Sequence, residues 1–110
     1  MRASEKYPPM FWVYILKCAN GSSYTGSTEH LELRVAQHQA GEGGEYTSAR
    51  LPITLVYARE FQMHDEAFKW ERQIKGWSRK KKEALIKEDY KALIELSKNR
   101  SGKDTRRKYS

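Results

Sequence analysis

The sequence has a single cysteine, Cys18, and only three prolines among its 110 residues. One cysteine rules out an intrachain disulfide and a zinc site made of cysteines, and it is typical of proteins in a reducing compartment, so we expect a cytoplasmic location. Long apolar runs are absent as well. The longest, residues 10–16, is far shorter than the ~18 residues of a membrane span, and no signal-peptide cleavage pattern surrounds it. The sequence therefore predicts neither export nor a membrane partner.

Acidic residues are scarce relative to basic ones: 14 Asp and Glu stand against 21 Lys and Arg, a formal net charge of +7. This balance favours a polyanionic partner. Residues 99–110 hold five basic residues and a single acid with little to bury, so we predict a flexible basic tail there, and a flexible N-terminus at residues 1–9. A second basic run, residues 72–82, contains no acid and predicts a surface that contacts nucleic-acid phosphates or, alternatively, a solvated helical face. Its basic residues are Arg72, Lys75, Arg79, Lys80, Lys81 and Lys82.

The pattern between the two ends indicates one small α+β domain at residues 10–98. Two stretches rich in β-formers, joined by a turn at residues 19–21, predict a hairpin, and Ile53 begins a third predicted strand. Apolar residues at helical spacing predict helices over residues 30–40 and 65–77, the first with Thr28 as its N-cap. Ser78 is placed to cap a further helix through residue 88, and a last helical segment follows near residues 90–96.

Chemically distinctive residues follow one another along these elements in a fixed order. They are Val13-Tyr14-Ile15, then Tyr24-Thr25-Gly26 ten residues on, then Arg34 and His38 on the next helix, and Glu71 on a later one. Over about residues 10–86 this ordered set resembles the GIY-YIG endonuclease domain, whose name-giving tripeptides appear here as Trp12-Val13-Tyr14 and Tyr24-Thr25-Gly26. The chain is most similar to small stand-alone members related to the N-terminal nuclease module of a bacterial excision-repair protein. The resemblance implies a three-stranded, mainly antiparallel sheet, the hairpin plus the third strand, flanked by helices.

The resemblance also implies an activity, the metal-dependent hydrolysis of a DNA phosphodiester that leaves a 5′-phosphate and a 3′-hydroxyl. Glu71, the only acid in the set, would hold one Mg²⁺ or Mn²⁺ largely through water. Arg34 would grip the phosphate with its planar guanidinium. Tyr24 would act as general base towards water while Tyr14 orients that water or the phosphate, although the sequence does not decide which tyrosine takes the proton.

Three further residues are expected to act at the same site, two of them with alternative roles. The resemblance makes His38, one turn after Arg34, an alternative base or a phosphate donor. Gly26 would let the backbone come close to the substrate. Lys75, four residues after Glu71, either contacts phosphate or pairs with that carboxylate.

The two tyrosines can share a site only in one register of the hairpin. A two-residue loop would put Tyr14 and Tyr24 on opposite surfaces, because side chains alternate along a strand. A three-residue loop at residues 19–21, with Gly21 in the left-handed conformation, would pair Leu16 with Tyr24 and bring both phenols to one face. The proposed chemistry therefore predicts the three-residue loop, or else a bulge in one strand that restores the same parity.

The sequence departs from the repair members at two points. It has no asparagine in residues 78–98, and Ser27 stands where those members place a basic residue. We expect single-stranded or branched DNA rather than plain duplex, since a small basic module with aromatic residues can stack unpaired bases and has no evident groove-reading helix. The alternatives are an inactive module that only binds nucleic acid, and a scaffold that docks onto a protein through its C-terminal helices.

Overall fold

The computed structural model describes residues 10–104, with side chains described for residues 10–98. The chain divides into two compact units, Met1–Lys75 and Gly76–Ser110. The described part of the first unit contains β1 (Phe11–Lys17), β2 (Ser23–Thr28), α1 (Leu31–Gln39), α2 (Glu45–Ser48), β3 (Thr54–Phe61) and α3 (His64–Lys75). The second contains α4 (Arg79–Ile86) and α5 (Tyr90–Asp104). The predicted small α+β fold is confirmed.

The ends of the chain were predicted to be flexible, and most of that prediction lies outside the described residues. Residues 1–9 and 105–110 are not among them, whereas the backbone of α5 includes the first residues of the predicted basic tail. The predicted domain at residues 10–98 spans the boundary between the two units.

The sheet has the order β2-β1-β3, and both pairings are antiparallel. Residues 13–16 of the central strand β1 are all buried, and since successive side chains alternate between the faces of a strand, both faces of β1 are covered. One face of β1 contributes Tyr14 and Leu16 to a cluster with Cys18 and Ile53, onto which Leu31 and Val35 of α1 pack. Helix α3 packs against β1 and β2. The edge strand β2 thus lies between α1 and α3, which positions the candidate site.

The hairpin has the register that the two-tyrosine site requires. Leu16 pairs with Tyr24, and the Cys18 N–H donates to the Ser22 carbonyl at 2.8 Å across the three-residue loop. Gly21 has φ +88°, a conformation that glycine adopts without steric cost. The predicted loop and register are confirmed.

Three elements differ from their predicted form. Helix α1 begins at Leu31 with His30 at its N-cap, so the prediction of Thr28 as cap is wrong; the Thr28 hydroxyl instead accepts from the His30 N–H at 3.0 Å, before the helix. Strand β3 is longer than predicted because it continues along β1 until Phe61 pairs with Phe11. Helix α2 was not predicted, since its four residues are too few to show a periodic pattern.

In the second unit, α4 begins as predicted after Ser78, whose hydroxyl accepts from the Lys81 N–H at 3.2 Å. Ala84 and Leu85 of this helix are buried. Among the described residues, no helix combines the length and apolar character that crossing a bilayer demands.

Candidate active site

Three rings from β1, β2 and α1 form the centre of the candidate site. The Tyr14 and Tyr24 rings lie 6.4 Å apart between centroids, and the His38 ring lies 5.9 Å from the first and 5.1 Å from the second. The three-residue loop makes this possible, because it turns both phenols to the face of the hairpin that α1 covers. Tyr14 is buried, whereas Tyr24 is half-buried. Of the two phenols, Tyr24 is therefore the more accessible to a substrate.

His38 has protein partners at both ring nitrogens. Its Nε2 lies 3.1 Å from the Tyr14 hydroxyl and its Nδ1 lies 2.8 Å from the Thr47 hydroxyl of α2. The His38 and Thr47 side chains are both fully buried. A neutral imidazole donates from one nitrogen and accepts at the other, so this chain of hydrogen bonds satisfies all three groups. The arrangement favours a positioning role for His38 over direct contact with a phosphate.

The protonation of these groups follows from their surroundings. Burial raises the pKa of the Tyr14 phenol above its ordinary value; Tyr24 and Glu71 add to the rise, and Arg34 opposes it. Burial, and secondarily the positive charge of Arg34, lowers the pKa of His38. At neutral pH, Tyr14 therefore keeps its proton and His38 is uncharged.

Gly26 on β2 leaves room for a phenol. It pairs with Tyr14 across the hairpin, and a Cβ at this position would lie 2.6 Å from the Tyr14 hydroxyl oxygen and 3.2 Å from Cε2 of Tyr24. Any larger residue would have to displace the Tyr14 ring. The structure thus gives a packing reason for glycine at position 26, while the predicted approach of a substrate to this backbone stays a prediction.

Glu71 reaches the same strand from α3. Its Oε1 accepts a hydrogen bond from the Ser27 hydroxyl at 2.7 Å, and its Oε2 lies 2.9 Å from the Lys75 ammonium, the i+4 ion pair that was one of the two predictions for Lys75. The Glu71 side chain is largely buried, with 12% of it exposed. Ser27 pairs with Val13 and so faces away from Tyr14, which means that the site wraps around the edge strand β2.

Arg34 lies on the exposed side of α1 and lines a pocket of about 350 Å³ at the end of β2. Ser27 lines the same pocket. The Ser27 hydroxyl also donates to Glu71, so this carboxylate lies beside the pocket without being one of its lining residues. Arg34 also shifts the pKa values of Tyr14 and His38. Of the five residues predicted as catalytic, Tyr14, Tyr24 and His38 are thus in ring contact, and Arg34 and Glu71 lie close enough to affect the pKa of Tyr14.

The chain resembles known proteins over most of its length. A family model described as the GIY-YIG catalytic domain matches residues 10–84. The chain belongs to the GIY-YIG family. A UPF0213 protein of Natronomonas pharaonis is 45% identical over 78 residues, 71% of this chain and 92% of that protein. A UPF0213 protein of Staphylococcus haemolyticus is 46% identical over 77 residues, 70% of this chain and 94% of that protein. A protein of E. faecalis solved by NMR shares 34% identity with a TM-score of 0.52, covering 74% of this chain and 86% of that one.

Membership of the GIY-YIG family indicates a nuclease-type function with DNA as substrate, and nucleases of this family generally use divalent metal ions. The described residues include no group of three or more histidine, cysteine or acidic ligands. Glu71 nevertheless fits a single ion, because Mg²⁺ usually keeps several waters and needs only one or two carboxylates. An ion bound directly at Oε2 would compete with the Lys75 ammonium, which lies 2.9 Å from this oxygen.

The GIY-YIG match, which ends at residue 84, covers the whole of the predicted basic surface, and the structure distributes the six residues of that surface unequally. Arg72 is exposed with its guanidinium 5.5 Å from the Phe68 ring centroid, and Lys75 pairs with Glu71. The other four residues belong to the second unit, where Arg79 and Lys80 are exposed and Lys82 is half-buried. Lys81 is 8% exposed with its ammonium 4.4 Å from the Trp77 ring centroid. The prediction of Lys81 on a phosphate-contacting surface is wrong, because its side chain packs on this indole.

Sequence reasoning missed three residues that contact the candidate site residues. Ser27 was seen only as the absence of a basic residue, yet its hydroxyl holds Glu71. Thr47 gave no signal, because its helix is short and its partner His38 lies in another element. Tyr46, next to Thr47, is 38% exposed and stacks on Tyr24 at 6.1 Å, with the Arg50 guanidinium 3.9 Å from its own ring centroid.

Proposed function

We propose that this chain is an endonuclease that hydrolyses DNA phosphodiester bonds with one Mg²⁺ or Mn²⁺ held by Glu71, Tyr24 as general base and Arg34 as phosphate clamp. Its main support is that four elements bring two phenols, a guanidinium and a carboxylate to the region of β2. Phosphodiester hydrolysis needs these three capacities: an activated water, neutralisation of phosphate charge and stabilisation of the departing oxygen.

Arg34 binds the scissile phosphate in this proposal. Its side chain is exposed on α1 and borders the pocket at the end of β2, so a phosphate can reach it from solvent. A guanidinium offers two parallel N–H donors to a pair of phosphate oxygens and stays charged at any working pH. A lysine at this position would supply the charge without the paired donors.

Tyr24 first loses its own phenolic proton to solvent and then, as a phenolate, takes the proton of the attacking water, while Tyr14 orients that water. The assignment follows from burial, because the raised pKa of Tyr14 opposes its loss of a proton. If the His38 proton is on Nε2, that N–H donates to the Tyr14 oxygen and leaves the Tyr14 O–H free to donate into the site, while the Thr47 hydroxyl donates to Nδ1. His38 is then a positioning residue.

Glu71 would hold the divalent ion, which when bound stabilises the negative charge on the departing oxygen. Ser27 fixes the rotamer of this carboxylate through the hydrogen bond to Oε1. Lys75 neutralises Oε2 when no ion is present, and its 53% exposed side chain can swing into solvent when one binds.

Single-stranded or branched DNA is the preferred substrate in this proposal. Tyr46 is exposed beside Tyr24 and carries Arg50 on its ring, a combination that stacks unpaired bases and contacts phosphate. Phosphate contacts alone position DNA without reading its sequence, so we expect weak sequence preference on duplex DNA.

Incubation of the purified protein with single-stranded, branched and duplex DNA tests the proposal, with Mg²⁺, Mn²⁺ or EDTA present. We expect metal-dependent products carrying a 5′-phosphate, formed faster from the first two substrates. Glu71→Ala should abolish them, whereas Glu66→Ala, which removes an exposed acid from the same helix, should not. Cleavage that survives EDTA or Glu71→Ala would refute the mechanism.

A second candidate, a module that binds nucleic acid without cleaving it, is favoured by one observation. Both oxygens of Glu71 already have protein partners, so a metal ion must compete with Lys75 for this carboxylate. This candidate predicts salt-sensitive binding of DNA with no product under any metal.

A further inference from the structure

The pocket at the end of β2 has a wall that the proposed chemistry does not use. This wall consists of Phe11, His64, Ala67 and Phe68. At about 350 Å³ the pocket lies near the lower end of the range for sites that enclose a small ligand. Arg34 and Ser27 connect it with the candidate active site, and α3 contributes its opposite side. We call it the aromatic pocket.

Its wall consists of stacked aromatic rings that remain accessible. The His64 and Phe68 rings are parallel within 7° at 6.3 Å between centroids, and Phe11 meets His64 edge-on at 5.3 Å. Phe68 is 47% exposed, with the Arg72 guanidinium 5.5 Å from its ring centroid. Exposed aromatic rings flanked by arginine are the elements with which proteins stack unpaired nucleic-acid bases.

The polar part of the pocket can bind both the edge of a base and the phosphate of the same nucleotide. Arg34 is cationic and lies within the pocket, and the exposed Glu29 and His30 side chains supply hydrogen-bonding groups at its rim. A ligand with one flat apolar face, polar edges and an attached phosphate matches this lining. A nucleotide in a single strand has these features, whereas a base within a duplex has both faces covered by its neighbours.

We propose that the aromatic pocket binds one unpaired base, stacked on Phe68 and His64, of the nucleotide next to the phosphate that Arg34 holds. This inference rests on the proposed function, because it takes Arg34 as the phosphate clamp, and it identifies the structural basis of a preference for unpaired DNA. The pocket accepts the base through its flat face, so it discriminates by pairing state more than by base identity.

Binding without cleavage tests the inference directly. Short single-stranded oligonucleotides carrying 2-aminopurine at one position at a time are titrated with the full chain in EDTA, and both the 2-aminopurine fluorescence and the anisotropy of an end label are recorded. We expect quenching by stacking at one position. Phe68→Leu should abolish that quenching and weaken binding about 5- to 100-fold, whereas Tyr90→Leu, which removes another exposed aromatic ring, should change neither. Thermal unfolding of each variant verifies that it is folded, and His64→Ala provides a second variant.

An abasic substrate separates stacking from other effects of the substitution. If Phe68 stacks on the base, Phe68→Leu should cause no further loss of affinity once that base is removed. Absence of quenching at every position, or equal losses on intact and abasic strands, would overturn the inference. Failure of the proposed function has a different signature: quenching that depends on Phe68 without any cleavage in Mg²⁺ or Mn²⁺ would refute the nuclease and support the base pocket. Cleavage without such quenching would support the nuclease and overturn the base pocket.

Discussion

Replacing Gly26 by alanine tests the packing of the site with a single methyl group. In a strand interior this change alone would stabilise the protein by about 0.5–1 kcal/mol, because glycine loses more conformational freedom on folding. Here the new Cβ would lie 2.6 Å from the hydroxyl oxygen and 2.8 Å from Cζ of Tyr14. Both distances are shorter than van der Waals contact, and Tyr14 is buried, so its ring has no solvent-facing direction in which to yield.

The expected magnitude follows from these opposing effects. Forcing one extra carbon into a packed region costs about 1–3 kcal/mol, which outweighs the gain in backbone entropy. We therefore expect Gly26→Ala to lower the free energy of unfolding by about 1–2 kcal/mol. In a small domain this corresponds to a fall in Tm of roughly 5–15 °C. The hydrogen bond between Tyr14 and His38 should weaken as the ring is displaced.

Thermal and urea unfolding, followed by the fluorescence of the three tryptophans, measures the effect. The control is the same substitution on a Tyr14→Leu background, where the shorter side chain should remove most of the cost. Loss of DNA cleavage by Gly26→Ala with an unchanged Tm would refute the packing argument and favour the close approach of a substrate to this backbone.

Three further predictions concern the groups around the rings. Thr47→Val should lower the free energy of unfolding by about 1–3 kcal/mol more than Thr47→Ser, because only valine leaves a buried His38 nitrogen unpaired; equal losses in urea unfolding would contradict this. Because burial and Arg34 lower the pKa of His38 from 6.5 in the folded state, the unfolded chain takes up the proton first as pH falls. As pH falls from 6.5 to the lower pKa of His38 in the folded state, the free energy of unfolding should decrease by up to about 1.4 kcal/mol per pH unit. His38→Gln should remove this pH dependence. Lys75→Met should reduce the Mn²⁺ concentration for half-maximal cleavage by about 2- to 5-fold, since the ion no longer competes with an ammonium for Glu71; an increase would contradict this.

The alternation of side chains along a strand was sufficient to predict the hairpin loop and the common face of Tyr14 and Tyr24. The requirement that Tyr14 and Tyr24 share a face allowed an odd loop or a parity-restoring bulge, and the structure has the odd loop with Gly21 at positive φ. The i+4 spacing of Glu71 and Lys75 was likewise enough to foresee their ion pair as one of two possibilities.

The burial of His38, its contact with Thr47 and the packing of Lys81 depend on tertiary contacts, so the sequence did not predict them. His38 was placed on the correct helical face, but its burial depends on the loop before α2, where a Cβ on Gly43 would overlap the imidazole. No local pattern indicates that Thr47 completes this arrangement. Lys81 was expected in solvent because charge usually lies there, yet it packs on Trp77.

The single-turnover rate of Glu71→Gln on DNA tests the central claim most directly. Glutamine keeps the shape of the side chain and an oxygen that can accept from Ser27, but it lacks the negative charge that a divalent ion needs. We predict that affinity for the uncleaved strand stays within about 3-fold while the cleavage rate falls at least about 100-fold. Cleavage by Glu71→Gln at the rate of the unchanged protein would contradict the account.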